Sequence, residues 1–164
     1  MIVNNPPVDD GWHGSRTRIK IMPRDFILND DYTRDPAIRV SSDPAKAGGL
    51  PFGIEVSHMN LEIYACVPIP TGYKATGMKI AGTDTANEVW AWEACVVGCA
   101  LIPLFDTSET KNVGTEYDFN GSANSPAGGA DSLTAGATNY LLVWVETEST
   151  SDFVYGGYVN IERA

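Results

Sequence analysis

From residue 60 onward the chain alternates. In Leu61-Glu62-Ile63-Tyr64-Ala65-Cys66-Val67-Pro68-Ile69 every odd position is apolar and the even ones are mixed, the period of two that a strand shows when one face lies on a core. Pro70-Thr71-Gly72 ends the run, because proline presets the first corner of a turn and glycine accepts the positive φ of the next. Tyr73 to Ala81 supplies a second strand, bounded by Gly82-Thr83-Asp84, and the pair reads as a hairpin or a close return. Asn87 to Val97 places Trp90, Trp92, Ala94 and Val96 at alternate positions. Its β-branched and aromatic content predicts a strand rather than a helix, with the Trp90 and Trp92 set on the core. Tyr140–Thr147 and Phe153–Ile161 are two more β-rich runs, joined by Glu148-Ser149-Thr150-Ser151-Asp152, and read as a closing hairpin.

Two segments break the alternation. Residues 1–17 have almost no apolar periodicity and contain Pro6, Pro7, Gly11 and Gly14, which predicts an extended N-terminal arm ahead of a β domain over residues 18–164. Residues 120–139, from Asn120-Gly121-Ser122 through Gly128-Gly129-Ala130 to Thr138-Asn139, are small and polar and predict a long surface loop. Neither a repeat of fixed period nor a heptad is present, which removes solenoids and coiled coils. Short strands spaced by turn signals predict an all-β fold, a β-sandwich or jelly-roll-like single domain. At 164 residues, the chain is long enough to bury roughly 70% of its unfolded surface around one core.

Charge narrows the partners. The 21 acids outweigh 11 bases for a formal net charge of -10, so without a basic cluster the chain repels a phosphate backbone and an anionic lipid surface. No nucleic acid and no membrane are expected as partners. The longest apolar stretch, Ala94 to Phe105, runs about 12 residues against the roughly 20 that span a bilayer. Met1-Ile2-Val3 passes at once into Asn4-Asn5-Pro6-Pro7 with neither a basic nor an apolar leader, so synthesis in a cytoplasm is expected. Cys66, Cys95 and Cys99 are odd in number, which reads as free thiols rather than a disulfide framework.

Chemistry-bearing residues are few. His13 and His58 stand in no ligand spacing. Cys95 and Cys99 with Cys66 fall short of the four ligands of a structural zinc site and read as small buried hydrophobes. Asn29-Asp30-Asp31 resembles part of a calcium loop but lacks the glycine and distal glutamate, and reads as a solvated turn. No nucleophile elbow, phosphate loop or dinucleotide fingerprint occurs, and nothing singles out a carboxylate pair among the acids. A non-enzyme with no cofactor and no metal is therefore expected. Trp12 lies in the polar arm, where no local core buries it, so it and its neighbours Pro6, Pro7 and His13 are the candidate partner-binding residues.

Several stretches carry a family likeness. Pro68-Ile69-Pro70-Thr71-Gly72-Tyr73-Lys74-Ala75-Thr76, the Val/Trp strand, Asn112-Val113-Gly114-Thr115-Glu116, Thr138-Asn139-Tyr140-Leu141 and Val154-Tyr155-Gly156-Gly157-Tyr158-Val159-Asn160-Ile161 resemble small virion-associated proteins of tailed phages of marine bacteria and cyanobacteria. The likeness spans about residues 60–161, with Ile19-Lys20-Ile21-Met22-Pro23-Arg24-Asp25-Phe26 as its trace in the N-terminal third. It implies a structural protein of the virion. The corresponding expectation is a capsid decoration, or cement, protein on the outer capsid surface, bound to the major capsid protein and simplest as a homotrimer on a threefold axis. The alternatives are a tail-fibre or spike component that binds carbohydrate on the host through a flat tryptophan platform, and a neck adaptor. An exposed coplanar tryptophan pair favours the carbohydrate module.

Overall fold

The computed structural model describes residues 17–29, 38–41, 53–97, 101–106, 109–120 and 132–164. Pro6, Pro7, Trp12 and His13, with the predicted arm as far as residue 16, lie outside the described residues, as do Cys99 and most of the predicted 120–139 loop. Twelve strands are described: β1 (Arg18–Ile21), β2 (Phe26–Leu28), β3 (Ile38–Ser41), β4 (Gly53–Val56), β5 (Leu61–Val67), β6 (Tyr73–Gly82), β7 (Glu88–Cys95), β8 (Leu101–Pro103), β9 (Glu116–Asp118), β10 (Leu133–Thr134), β11 (Asn139–Thr147) and β12 (Phe153–Arg163). One 3-10 turn, Pro23–Asp25, separates β1 from β2, closed by the Asp25 carboxylate accepting from the Met22 N–H at 2.7 Å.

The strands form two antiparallel sheets packed as a β-sandwich. One has five strands in the order β2-β5-β11-β7-β8; the other has seven, with β10-β6-β12-β4-β3 as its path, β1 beside β12 and β9 beside β6. Alternation does the sorting. Leu61, Ile63, Ala65 and Val67 of β5, Leu141, Val143 and Val145 of β11, and Val89 and Ala91 of β7 are buried from one side. Ile19, Ile21, Ile54, Ala75, Met78, Ile80, Val154, Val159 and Ile161 meet them from the other, in a single apolar cluster. Each large side chain buried there contributes roughly 1.5–3 kcal/mol of transfer free energy.

Both predicted hairpins are arches between the sheets. β5 pairs with β2 and β11, whereas β6 pairs with β12, β9 and β10. The Pro70 turn, with Gly72 at φ +82° and the Tyr73 N–H donating to Pro70 O at 3.0 Å, thus carries the chain across the sandwich. β11 and β12 are likewise in different sheets, and residues 148–152 bridge them. Asp152, buried in that bridge, accepts from the Ser149 N–H at 2.9 Å. Such sequences specify a turn, and burial of both flanking strands decides whether it closes a hairpin or crosses the core.

Gly156 explains the bend of β12. Its φ is +102° and a Cβ there would meet Ile21 O at 2.2 Å, so only glycine lets β1 pair so closely at this bulge. The bulge is where β12 shifts register between Val154 and Gly156.

Candidate functional site

The five-stranded sheet turns one face to the core, and its outer face gathers the large aromatics. In β5 the outward residues are Glu62, Tyr64 and Cys66; in β11 they are Tyr140, Leu142, Trp144 and Glu146; in β7 they are Glu88, Trp90 and Trp92. The sequence expectation that Trp90 and Trp92 lie on the core is overturned. Val89 and Ala91 are the residues β7 gives to the core, while Ala94, also buried, stands opposite Tyr140 and Leu101 on the outer face. Two stacked indoles do not fit between sheets already filled by Leu141, Val143 and Ile63, so the small residues go in and the tryptophans out.

Register arranges these residues in rows. Tyr64 is opposite Trp144, which is opposite Trp90, and Ile27 of β2 extends that row at its other end. Cys66, Leu142 and Trp92 form the next row, and Glu62, Glu146 and Glu88 the one on the other side. The indoles of Trp90 and Trp92 are stacked, with centroids 6.2 Å apart and planes 21° from parallel. Trp144 lies 6.3 Å from Trp90 and 5.6 Å from Trp92, tilted 34° and 47°. Such offset aromatic pairs each add about 0.5–1.5 kcal/mol beyond their area, so the three hold one another in place.

Beside them runs a shallow groove of about 460 Å³, lined by Tyr64, Cys66, Trp92, Tyr140, Leu142 and Trp144, with Glu62 and Asn29 at one end and Leu101 at the other. Leu101 is 54% exposed, and Val96 and Val97, at the same tip of the sheet, are more so. A second depression of about 240 Å³ holds Glu88, Glu146 and Glu148 with Met59 and Asn60. The face is thus graded, from apolar at the β7–β8 end through aromatic to acidic.

Electrostatics reinforce the grading. Burial first, and then the neighbouring Glu62, Glu88 and Glu148 charges, hold the Glu146 carboxyl above the ordinary carboxylate range. The Asn29 side-chain amide donates to Glu62 at 2.5 Å. Desolvation pushes the Cys66 thiol up although its surface is exposed. Cys66 and Cys95 are both free, as the sequence predicts, but not the buried hydrophobes it also predicts: Cys66 is exposed and Cys95 half-buried, because Cys66 faces outward from β5 and Cys95 is the last residue of β7. The Trp90 indole N–H is buried without an acceptor among the described residues, a cost of roughly 1–3 kcal/mol unless something accepts from it.

No three His, Cys, Asp or Glu side chains among the described residues are placed to hold a metal ion. His58 is half-buried beside Ser57, 2.8 Å from its hydroxyl, away from the groove. The sequence reading offers the tryptophans, Trp144 among them, as a platform in its carbohydrate alternative and misses Tyr64 and the three glutamates beside them. A signal was present: each outward set in β5, β7 and β11 carries a glutamate two residues from its aromatic, and a strand face that carries charge is the wet one.

No protein-family model and no curated protein matches the sequence. Among solved structures the chain is similar to the CBM36-1 domain of a multidomain xylanase from the hindgut metagenome of Trinervitermes trinervoides, at a TM-score of 0.43 and 12% identity, over 90% of this chain and 98% of that one. A likeness of that degree says nothing about what this chain binds.

Proposed function

We propose that the chain is a non-catalytic binding module that engages carbohydrate through the outer face of its five-stranded sheet. The observation that carries the reading is the half-buried cluster of Trp90, Trp92 and Trp144 beside an open groove. Sugar rings have an apolar face of C–H groups and a polar rim of hydroxyls. An indole offers a flat, electron-rich surface to the first, and the flanking carboxylates accept hydrogen bonds from the second. A rigid aromatic platform with a few polar groups at one end is the usual composition of a small-ligand site.

In the virion setting implied by the resemblance, this face belongs to the apparatus that adsorbs to a host surface. The capsid-cement reading instead gives the chain the major capsid protein as partner and a trimeric assembly, with Pro6, Pro7, Trp12 and His13 as its grip. One experiment separates the two. The full chain is applied to an array of neutral, amino and acidic oligosaccharides and, in parallel, to capsids stripped of accessory proteins. The carbohydrate reading predicts array binding that is lost in Trp144→Ala and retained when residues 1–17 are deleted. Binding to capsids alone, dependent on those residues, contradicts it and restores the cement role.

A further inference from the structure

Among the described residues the acidic row of this face has no cationic complement of its own. Glu62, Glu146 and Glu88 occupy directly opposed positions on β5, β11 and β7, where like charges destabilise a sheet. Two inter-strand spacings make the row about 10 Å long. The cations that form ion pairs among the described residues are engaged elsewhere: Arg18 with Glu116, Lys74 with Glu162, and Lys111 with Glu109. Glu62 receives the Asn29 amide, and among the described residues no lysine or arginine pairs with Glu88, Glu146 or Glu148.

Two further observations narrow the missing complement. The carboxylates do not converge as metal ligands would, so the charge that suits them is spread along a line rather than concentrated in one ion. The aromatic row Tyr64–Trp144–Trp90 lies two residues along the same strands, about 7 Å away, and π faces attract organic cations as well as C–H surfaces. A ligand that meets both rows has apolar ring faces and ammonium groups at intervals.

Resting on the carbohydrate reading above, we propose that this face selects a cationic amino sugar, an oligosaccharide of hexosamine units with free protonated amines, over its N-acetylated counterpart. The ring faces lie on Trp144 and Trp90 while the ammonium groups stand against Glu62, Glu146 and Glu88. The burial and mutual repulsion that raise Glu146 describe a face whose charge is relieved when such a ligand arrives.

The test uses the full chain and two probes, glucosamine hexamer and N-acetylglucosamine hexamer, titrated in weakly acidic buffer where the free amines are charged. The amine form should bind about tenfold tighter, the yield of a few half-exposed ion pairs, with the preference shrinking as salt is added. The triple variant Glu62→Gln/Glu88→Gln/Glu146→Gln should erase the preference. A control with the same charge change, Glu116→Gln/Asp118→Asn/Glu162→Gln, should keep it. Circular dichroism establishes that each variant folds, and Glu146→Gln alone serves if the triple variant does not. Equal binding of the two hexamers, with either still lost in Trp144→Ala, overturns the inference and leaves the carbohydrate reading standing. Equal affinity for oligolysine, unaffected by Trp144→Ala, overturns it as unselective attraction of polycations. Failure of both hexamers to bind overturns it outright.

Discussion

The two outer faces of this sandwich treat a glutamate in opposite ways. On the seven-stranded sheet, Glu116 accepts from the Tyr158 hydroxyl at 2.8 Å and the Asn160 amide at 2.7 Å, with the Arg18 guanidinium 3.5 Å away. That guanidinium also lies 4.0 Å over the Tyr158 ring. The two hydrogen bonds and the nearby cation hold the Glu116 carboxyl below its ordinary range. On the five-stranded sheet, Glu146 is flanked by carboxylates and held above that range. One face supplies the counter-groups of its β9 glutamate from β1 and β12. The other collects acids and indoles, and among the described residues no lysine or arginine pairs with Glu88, Glu146 or Glu148, the contrast on which the proposed binding face rests.

The comparison breaks most sharply at Trp144, on the central strand β11 between Tyr64 and Trp90 and lining the groove. Trp144→Ala should weaken carbohydrate binding by about thirtyfold or more, the scale of a hot-spot loss near 2 kcal/mol. Its cost to stability is about 1–3 kcal/mol from the two lost aromatic pairs. Tyr158→Ala, on the opposite face, should leave binding unchanged in the same titration. Equal effects from the two variants would erase the distinction between the faces.

Next in size are opposite stability effects from one chemical change. Glu146→Gln should raise stability at neutral pH by up to about 1 kcal/mol, since it removes like charges directly across two strands. Glu116→Gln should lower it, because Tyr158, Asn160 and Arg18 lose a charged acceptor. Chemical denaturation of both variants reads the signs directly.

The pH dependence follows from the same shifts. Because Glu146 is raised, the folded state holds its proton more tightly than the unfolded one, so stability is greatest below the unfolded value of about 4.3 and declines as pH climbs through the raised folded value. Asp152, raised chiefly by burial, adds to this trend. Glu116 has the reverse sign: its contribution is present above the unfolded value and is lost as pH falls through its depressed folded value. Melting temperatures across the acid range should therefore rise on mild acidification and fall on further acidification. Glu146→Gln should blunt the rise and Glu116→Gln the fall.

The smallest expected effect is at Cys66. Its raised thiol should react with iodoacetamide with a midpoint above the ordinary value of about 8.5, and an occupied groove should slow the reaction a few-fold, since protection follows the equilibrium population of the open form. Mass spectrometry after alkylation, with and without bound oligosaccharide, measures both. Unchanged reactivity under saturating ligand would place the ligand off the groove.

Much of this architecture is written locally. The odd-position apolar run of β5 and the Pro70-Thr71-Gly72 turn occur where the chain itself indicates them. Sheet membership is not local: β6 and β12 find each other across residues 83–152, and nothing in the 148–152 bridge distinguishes an arch from a hairpin. The site was misread for a related reason. Trp90 and Trp92 are the larger apolar set, yet Val89 and Ala91 alternate with them equally well, and only the volume left between the sheets decides which set goes inside. Leu133 makes the same point from within the predicted surface loop, where it is fully buried as part of β10.

The most direct test of the central claim uses the four tryptophans as reporters. Indole N–H signals of the isotope-labelled full chain, assigned by single Trp→Phe substitutions, are followed while neutral and amino oligosaccharides are added. The account predicts that Trp90, Trp92 and Trp144 shift together and saturably, while Trp12 stays in place. Movement of Trp12 alone, or of no indole with any oligosaccharide, would contradict it.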